Sequence, residues 1–327
     1  MPESLILFDN RWIADHGIGR AAREWWGRGH FWEPIGPGPS PASPLDSIWL
    51  TRRLAHETRP FFSPGYNAPL HTRQPFFITV HDLCYVDLAS QTGRARQLYT
   101  LTVIRNRCLA ARAVFTVSAF SRGRLIDRFG LAPNQVVIVS PGVAEIFRQA
   151  GPAESLERPY VLGVGNSSPH KNEARTLEAF AASPLARTHL FILTGAPRAL
   201  GPAAARVQVR FVGRVEDARL AALYRGADAL VFASLYEGFG SPAVEAMSCG
   251  TPVLCSRGGA LEEVTAGAAL LVDPQSVSDI AQGLERIVHD APLRARLSEQ
   301  GRLRAAQFDY DHSIRTLEQH IQQRLTA

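Results

Sequence analysis

Two glutamates, Glu237 and Glu245, stand with seven residues between them in the stretch SLYEGFGSPAVEAMSCGTP, residues 234–252. Ahead of them, Ala229–Ala233 (ALVFA) is a short apolar run of the length of a buried parallel strand. Behind them, Ser241 can cap a helix, Pro242 fits its first position, Gly250 stops it and Pro252 follows. One carboxylate therefore falls in a glycine-rich loop and the other in the first turns of a helix. The amides near Ala243 and Val244 are expected to be free and to face the crevice at the strand ends. A helix N-terminus binds phosphate there through unsatisfied N–H groups and its dipole. Two carboxylates around a phosphate seat suit a ligand that is both polyhydroxylated and phosphorylated, such as a nucleotide sugar.

Lysine usage points to the same chemistry. Of 35 basic residues only Lys171 is a lysine; the other 34 are arginine. A compact ammonium on a flexible stem differs from a planar guanidinium, above all against a crowded diphosphate. Lys171 lies in GVGNSSPHKNEARTLEAF, between the apolar run Tyr160–Val164 and a helix predicted over Glu173–Ala182, hence at a strand's carboxyl edge. A surface lysine could also fall there by chance.

These residues require two sets of strands and helices to position them. In the first half, apolar runs at Leu5–Phe8, Ser47–Leu50, Phe76–Val80, Val114–Val117 and Val136–Val139 read as strands, with helices at Arg94–Ala113 and Ala119–Phe129. In the second, Tyr160–Val164, His189–Leu193, Val207–Val212, Ala229–Ala233, Val253–Cys255 and Ala269–Val272 alternate with helices such as Asp217–Gly226 and Val277–Val288. Alternation of this kind implies α/β domains with parallel sheets covered on both faces. The expected division is residues 1–150, then 158–305, then a helix over 306–327, with 148–158 (RQAGPAESLER) as linker. Ligands of such folds bind at the carboxyl ends of the strands, here in a cleft between the two domains. Residues 34–44 (PIGPGPSPASP) read as a mobile loop.

Composition excludes several classes. An apolar fraction of 46% and a charged fraction of 20% describe a globular protein. No run of about 18 apolar residues occurs, and MPESLILFDNRW reads as a first strand rather than a signal peptide, so the expectation is cytoplasmic. Cys84, Cys108, Cys249 and Cys255 have no metal-ligand spacing and read as reduced structural thiols. The net charge of +5 is uneven: residues 1–150 hold 17 arginines against 11 acids. Much of that excess is Arg94, Arg96, Arg105, Arg107, Arg112, Arg122, Arg124 and Arg128, which could face a nucleic acid, an anionic membrane or an acidic acceptor, or simply form a solvated helix face. Asp309-Tyr310-Asp311 imitates a metal-binding Asp-x-Asp, but its place at a helix start favours capping. Ser118 and Ser140 belong to no evident Ser–His–acid order.

The combination resembles the family-4 retaining glycosyltransferases of the GT-B fold, especially the bacterial mannosyltransferase-like branch that builds surface polysaccharides. Further stretches carry the resemblance: Asp9-Asn10-Arg11 with His16-Gly17-Ile18-Gly19-Arg20, Thr79-Val80-His81-Asp82-Leu83, Val117–Arg122 and Ser140–Val143. It implies two Rossmann-like domains facing across a cleft, a C-terminal helix crossing back to the first, and transfer of a hexose to a hydroxyl of a glycan or lipid-linked acceptor. Lys171 would contact the donor diphosphate, and Glu245 the ribose hydroxyls. Glu237 would sit beside the transferred sugar, with the amides of Phe239, Gly240 and Ser241 on its hydroxyls. Ala243, Val244, Gly165 and Asn166 complete the donor-binding set. His81 would lie near the reacting sugar, and a satisfied core histidine is its bland alternative. Asp82 would orient a neighbouring loop. Gly17, Ile18, Gly19 and Arg20 would form a loop approaching a ligand, with Asp9 and Arg11 as acceptor-side candidates. Where many relatives carry an arginine beside the lysine, this chain has Asn166 and His170, so His170, Arg175 or Arg20 is left to supply the second phosphate contact.

The resemblance implies no cofactor and no metal, a nucleotide sugar as co-substrate with GDP-mannose favoured, and dTDP-rhamnose or a UDP-hexose as alternatives. It implies an acceptor linked to polyprenyl diphosphate, peripheral contact with the inner face of an anionic membrane and no nucleic-acid partner. A GT-B nucleotide-sugar epimerase and a non-catalytic binding module are the rival classes.

Overall fold

A computed structural model describes residues 5–14, 17–88, 93–147, 150–166 and 168–326. It divides into two units, one running to Gly142 and resuming at Asp309, the other Val143–Phe308.

The first unit contains β1 (Ile6–Phe8), α1 (Gly17–Arg28), β2 (Trp32–Pro34), α2 (Asp46–Arg53), β3 (Phe61–Ser63), β4 (Phe76–Thr79) and α3 (Cys84–Asp87). It continues with α4 (Arg94–Tyr99), a π-helical turn (Thr100–Ile104), α5 (Arg105–Ala110), β5 (Ala113–Thr116), α6 (Ala119–Phe129) and β6 (Val136–Ile138). The sheet is parallel throughout, in the order β2-β1-β3-β4-β5-β6. Its central strands are buried on both faces, which is why they read as unbroken apolar runs. Alternate residues feed two cores: Leu7, Phe61, Ile78 and Val114 on one face, Phe8, Phe62, Phe77 and Phe115 on the other.

The second unit contains β7 (Tyr160–Gly163), α7 (Glu173–Ala182), α8 (Leu185–Thr188), β8 (Leu190–Leu193), β9 (Val209–Phe211), α9 (Asp217–Gly226) and β10 (Ala229–Phe232). After these come α10 (Ser241–Ser248), β11 (Val253–Ser256), α11 (Gly259–Thr265), β12 (Leu270–Val272), α12 (Val277–His289) and α13 (Ala291–Ala305). Its parallel order is β12-β11-β10-β7-β8-β9. The chain starts in mid-sheet, builds outward through β8 and β9, then returns to build from β10 the other way. A crossover therefore lies between β7 and β10, where open α/β sheets bind ligands outside the carboxyl ends of the strands. The first sheet has the same device between β1 and β3.

The last helix, α14 (Tyr310–Thr326), belongs to the first unit. Ile314, Leu317 and Ile321 enter the core face that holds Trp25, whose indole donates to Ser313 Oγ at 3.0 Å. Asp309 accepts from the amides of Asp311 and His312, so its carboxylate caps this helix.

Four expectations are corrected. Ser47–Leu50 is helical, within α2: Ser47, Leu50 and Leu54 are buried and Ile48 is exposed, a three-to-four-residue spacing that a short window hides. Two strands, β2 and β3, went unread because each has only three residues and Phe61–Ser63 is flanked by prolines. The division falls at Gly142, not within 148–158, and the second unit runs to Phe308. Residues 150–158 are fastened to that unit, with Glu154 N on Ala222 O (2.8 Å) and Arg225 on Pro152 O (3.2 Å), while 148–149 lie outside the described residues. Finally, the 34–44 loop is held in place: Asn67 Nδ2 donates to Pro41 O at 2.7 Å and Ser43 O at 3.0 Å.

Candidate functional site

After β7 the chain leaves the sheet, makes a short 3-10 turn over Pro169–Lys171 and enters α7 through Asn172. Asn172 takes a left-handed backbone (φ 57°), a conformation asparagine tolerates better than most side chains. Its Nδ2 donates to Ala233 O (2.9 Å), just past β10, and to Pro274 O (2.7 Å). Leu235 N donates to His170 O at 2.7 Å. The loops leaving β7 and β10 are thus stitched together on both sides of Lys171.

That stitching fixes the central contact. Lys171 Nζ lies 2.7 Å from Glu237 Oε1, with the two side chains 15% and 12% exposed, and 5.1 Å from the centre of the Phe232 ring. The lysine and the loop glutamate, 66 positions apart, meet at the crossover of the second sheet.

The start of α10 differs from expectation by one residue. Gly240 rather than Ser241 is the N-cap, and Pro242 is the second helical residue. Gly240 has φ 96°, and a Cβ there would lie 2.4 Å from Leu261 Cδ2, so only glycine fits. The amides of Ala243 and Val244 are not free: both donate to Gly240 O, at 2.9 and 3.4 Å. The donors without a hydrogen-bond partner among the described residues are the amides of Phe239, Gly240 and Ser241. The anion seat therefore sits a turn earlier than the sequence suggested. The Phe239 ring is buried edge-on against Phe308, centroids 5.1 Å apart, and anchors the loop.

Glu245 is 5% exposed, and its Oε2 accepts from the buried Tyr224 hydroxyl at 3.1 Å. Tyr224 is a partner that sequence reading missed; its only signal was a tyrosine on the apolar side of α9. Gly165 packs against Glu173, whose Oε1 would be 2.0 Å from an added Cβ, and its amide donates to Thr194 Oγ1. Asn166 is exposed and His170 half-buried.

Two arginines near this loop are already spent. Arg175 Nη1 donates to Asn172 Oδ1 (2.9 Å) and Pro274 O (3.1 Å). Arg198, which sequence reading missed, forms a fork with both oxygens of Glu173 and reaches Thr194 O and Ala196 O. It borders a cavity of about 660 Å³ that Ser168, Pro169, Arg175 and Leu200 also line. Arg175 thus steadies the loop through Nη1 while lining the same cavity.

In the first unit, Gly17, Ile18, Gly19 and Arg20 form the opening turn of α1, and His16 lies outside the described residues. Gly19 is obligatory, since a Cβ would come within 2.5 Å of Ala14 O; Gly17 has open space around its Cα. His81 follows β4, with Nε2 2.9 Å from Pro64 O and its ring stacked on Trp25 at 6.4 Å. Asp82 accepts from Cys84 N at 2.9 Å and so shapes the turn into α3.

Asp9 and Arg11 are corrected as acceptor-side groups. Arg11 binds both oxygens of Asp9 at 2.7 Å, reaches Asp46 at 2.7 Å, and stacks over Trp49 at 4.1 Å. Its side chain is 6% exposed and those of both aspartates 0%, so the carboxylates are enclosed. Burial pushes both carboxyls above the ordinary aspartate value, against the pull of the Arg11 hydrogen bonds.

The flagged basic surplus is also partly internal. Arg105 binds Phe129 O, Arg122 binds Val136 O and Pro133 O, and Arg124 and Arg128 share Asp87. Among the described residues, no helix is long and apolar enough to cross a membrane.

The sequence matches the family described as Glycosyltransferase Family 4 over residues 11–145 and that described as Glycosyl transferases group 1 over residues 145–304. It is 28% identical over 271 residues to O-antigen chain mannosyltransferase B of Escherichia coli, covering 77% of this chain and 71% of that one. It is 32% identical over 206 residues to MMP alpha-(1->4)-mannosyltransferase of Mycolicibacterium hassiacum, covering 59% of this chain but only 49% of the relative. Sucrose-phosphate synthase from Thermosynechococcus elongatus has the same fold, with a TM-score of 0.75 over 99% of this chain and 100% of that one at 21% identity. The two family matches are consecutive and run from residue 11 to residue 304, and the chain belongs to the family-4 glycosyltransferases of the GT-B fold.

Proposed function

We propose that this protein transfers a hexose, with mannose from GDP-mannose as the favoured donor, to a hydroxyl of a glycan or lipid-linked acceptor in surface polysaccharide synthesis. The observation that carries this reading is the Lys171–Glu237 pair at the crossover of the second sheet, beside the unpartnered amides of Gly240 and Ser241. An ammonium and two N–H donors suit a diphosphate, and a carboxylate suits sugar hydroxyls. Donor binding then exchanges partners: Lys171 turns to the diphosphate, and Glu237 accepts hydrogen bonds from the hexose. Glu245, already steadied by Tyr224, takes the ribose hydroxyls, and His170 lends the phosphate a further hydrogen bond.

We read the transfer as retaining and metal-independent. Lys171 and the α10 amides meet the charge that develops on the leaving diphosphate. That group accepts the acceptor's proton as the new bond forms on the same face. Glu237 is not assigned as a nucleophile; in this scheme it accepts hydrogen bonds from the hexose while the reaction proceeds on one face. His81 stands near the reacting sugar in this scheme, its ring held by the contact of Nε2 with Pro64 O. The names of the relatives, an O-antigen chain mannosyltransferase and an alpha-(1->4)-mannosyltransferase, support the choice of mannose. An acceptor on polyprenyl diphosphate fits peripheral attachment at the inner membrane face.

The test is a thermal-shift series with GDP-, UDP-, dTDP- and ADP-sugars in the presence of EDTA. A ligand that binds only the folded chain raises the midpoint, by about 2.7 kcal/mol of stability at a hundredfold excess over its Kd. GDP-mannose is expected to give the largest rise, and transfer to give an α-linked product. A rise with a UDP- or dTDP-sugar alone overturns the donor, and loss of transfer in EDTA overturns metal independence.

A further inference from the structure

The loop between β3 and β4 and the turn between α5 and β5 border a solvent-open cavity of about 440 Å³, lined by Thr72, Gln74 and Arg107 and by the exposed His71, Arg73 and Arg112 among others. Three guanidinium groups and an imidazole surround it, and no aspartate or glutamate is among its lining residues. The side chains of His71, Arg73 and Arg112 make no ion pair or hydrogen bond among the described residues, and that of Arg107 reaches only Pro69 O, at 3.3 Å. Thr72 Oγ1 is buried without a partner. Several arginines elsewhere in the same unit are neutralised, Arg11 by two aspartates, Arg59 by Glu33 and Glu57, and Arg124 and Arg128 by Asp87, whereas Arg105 and Arg122 bond only carbonyls.

These cations are not needed for local structure. At the end of α5, Gln135 Nε2 takes the carbonyls of Cys108 and Ala111, each at 2.9 Å, so that helix end is satisfied without an arginine. Phe76 opens β4 and Arg112 directly precedes β5, so the cavity lies at the amino ends of those strands. His81 and Ser118 follow their carboxyl ends. No residue of the Lys171–Glu237 site lines the cavity.

Gathered like charges with no carboxylate between them repel one another until an anion enters. Guanidinium forks match the paired oxygens of a phosphate, and the Thr72 hydroxyl can bond one more. We propose that this cavity binds a phosphate group, a phosphomonoester or diphosphate, other than that of the sugar donor. The phosphate comes either from a lipid headgroup or from a soluble phosphorylated molecule, and this inference does not rest on the donor reading.

The experiment uses the full chain carrying Lys171→Ala, which removes the donor-phosphate contact. Inorganic pyrophosphate binding is measured by calorimetry at constant ionic strength, and binding to vesicles of phosphatidylcholine with or without phosphatidic acid by flotation. The double variant Arg73→Ala/Arg112→Ala is compared with Arg52→Ala/Arg94→Ala, which removes the same charge from equally exposed positions of the same unit that do not line the cavity. Thermal midpoints check that both fold. We expect the cavity variant to weaken binding at least tenfold and the control variant to change it less than twofold. Selective loss of phosphatidic acid vesicles identifies a lipid headgroup as the source; selective loss of pyrophosphate alone identifies a soluble one. Failure to bind either ligand, no loss in the cavity variant, or equal loss in both variants overturns the site.

Discussion

The two sheets carry the same crossover and use it in opposite ways. Between β7 and β10, the second unit presents one lysine and one glutamate, partly exposed and paired by a single hydrogen bond. Between β1 and β3, the first unit plugs the corresponding place with Arg11 locked between Asp9 and Asp46 under the Trp49 ring. A one-to-one pair at the surface can be exchanged for a ligand. A guanidinium bonded to two enclosed carboxylates cannot let go without stranding buried charge. Topology offers the crevice, and the side chains decide whether it stays available.

The comparison can be broken most forcefully at Arg11. Arg11→Ala leaves two buried carboxylates uncompensated and should cost about 3–5 kcal/mol in denaturant unfolding of the first unit, with nucleotide-sugar affinity intact. A variant that keeps its stability but loses transfer would restore Arg11 to the acceptor side.

Lys171→Ala should show the reverse pattern. Transfer is expected to fall by about 10²–10³-fold, the range seen when one donor to developing negative charge is removed, and the thermal midpoint should barely move. Unchanged transfer and donor binding would remove the phosphate assignment.

The smallest effect sharpens the picture. The family resemblance leaves Asn166 and His170 as counterparts of the phosphate-binding arginine, and of the two Asn166 is the exposed one. Asn166→Arg should tighten binding of the nucleotide diphosphate by about three- to tenfold at low salt, an effect limited by solvent screening. No gain at low salt would mean that the loop aims position 166 away from the phosphates.

Much of this was legible beforehand because parallel strands buried on both faces must be apolar and their helices must be amphipathic. Helices α6, α7 and α9 fall where their periodicity put them. Glu237 and Lys171 were visible as chemistry, one from its glycine-rich loop and one from its rarity. The buried state of Asp9 was not legible, since a charged residue at a strand end reads the same whether its partner is water or an arginine. Asp46 lies 35 positions from Arg11, and no local pattern signals that pairing. The free amides were misplaced by one turn because the cap fell on Gly240, whose positive φ and close approach to Leu261 leave no mark in the local sequence.

By itself, then, the sequence determined two α/β units, the loop glutamate, the lone lysine and the helix that follows them, because local periodicity and turn chemistry govern each. Only the tertiary structure decided which charges meet. Lys171 finds Glu237 across 66 positions because β7 and β10 are neighbours in the sheet. Arg11 is sealed because α2 brings Asp46 and Trp49 against it, and the arginines near Arg73 gather without a counter-charge because strands β4 and β5 start side by side. Contacts distant in sequence are set by strand order, and strand order is a property of the packed sheet.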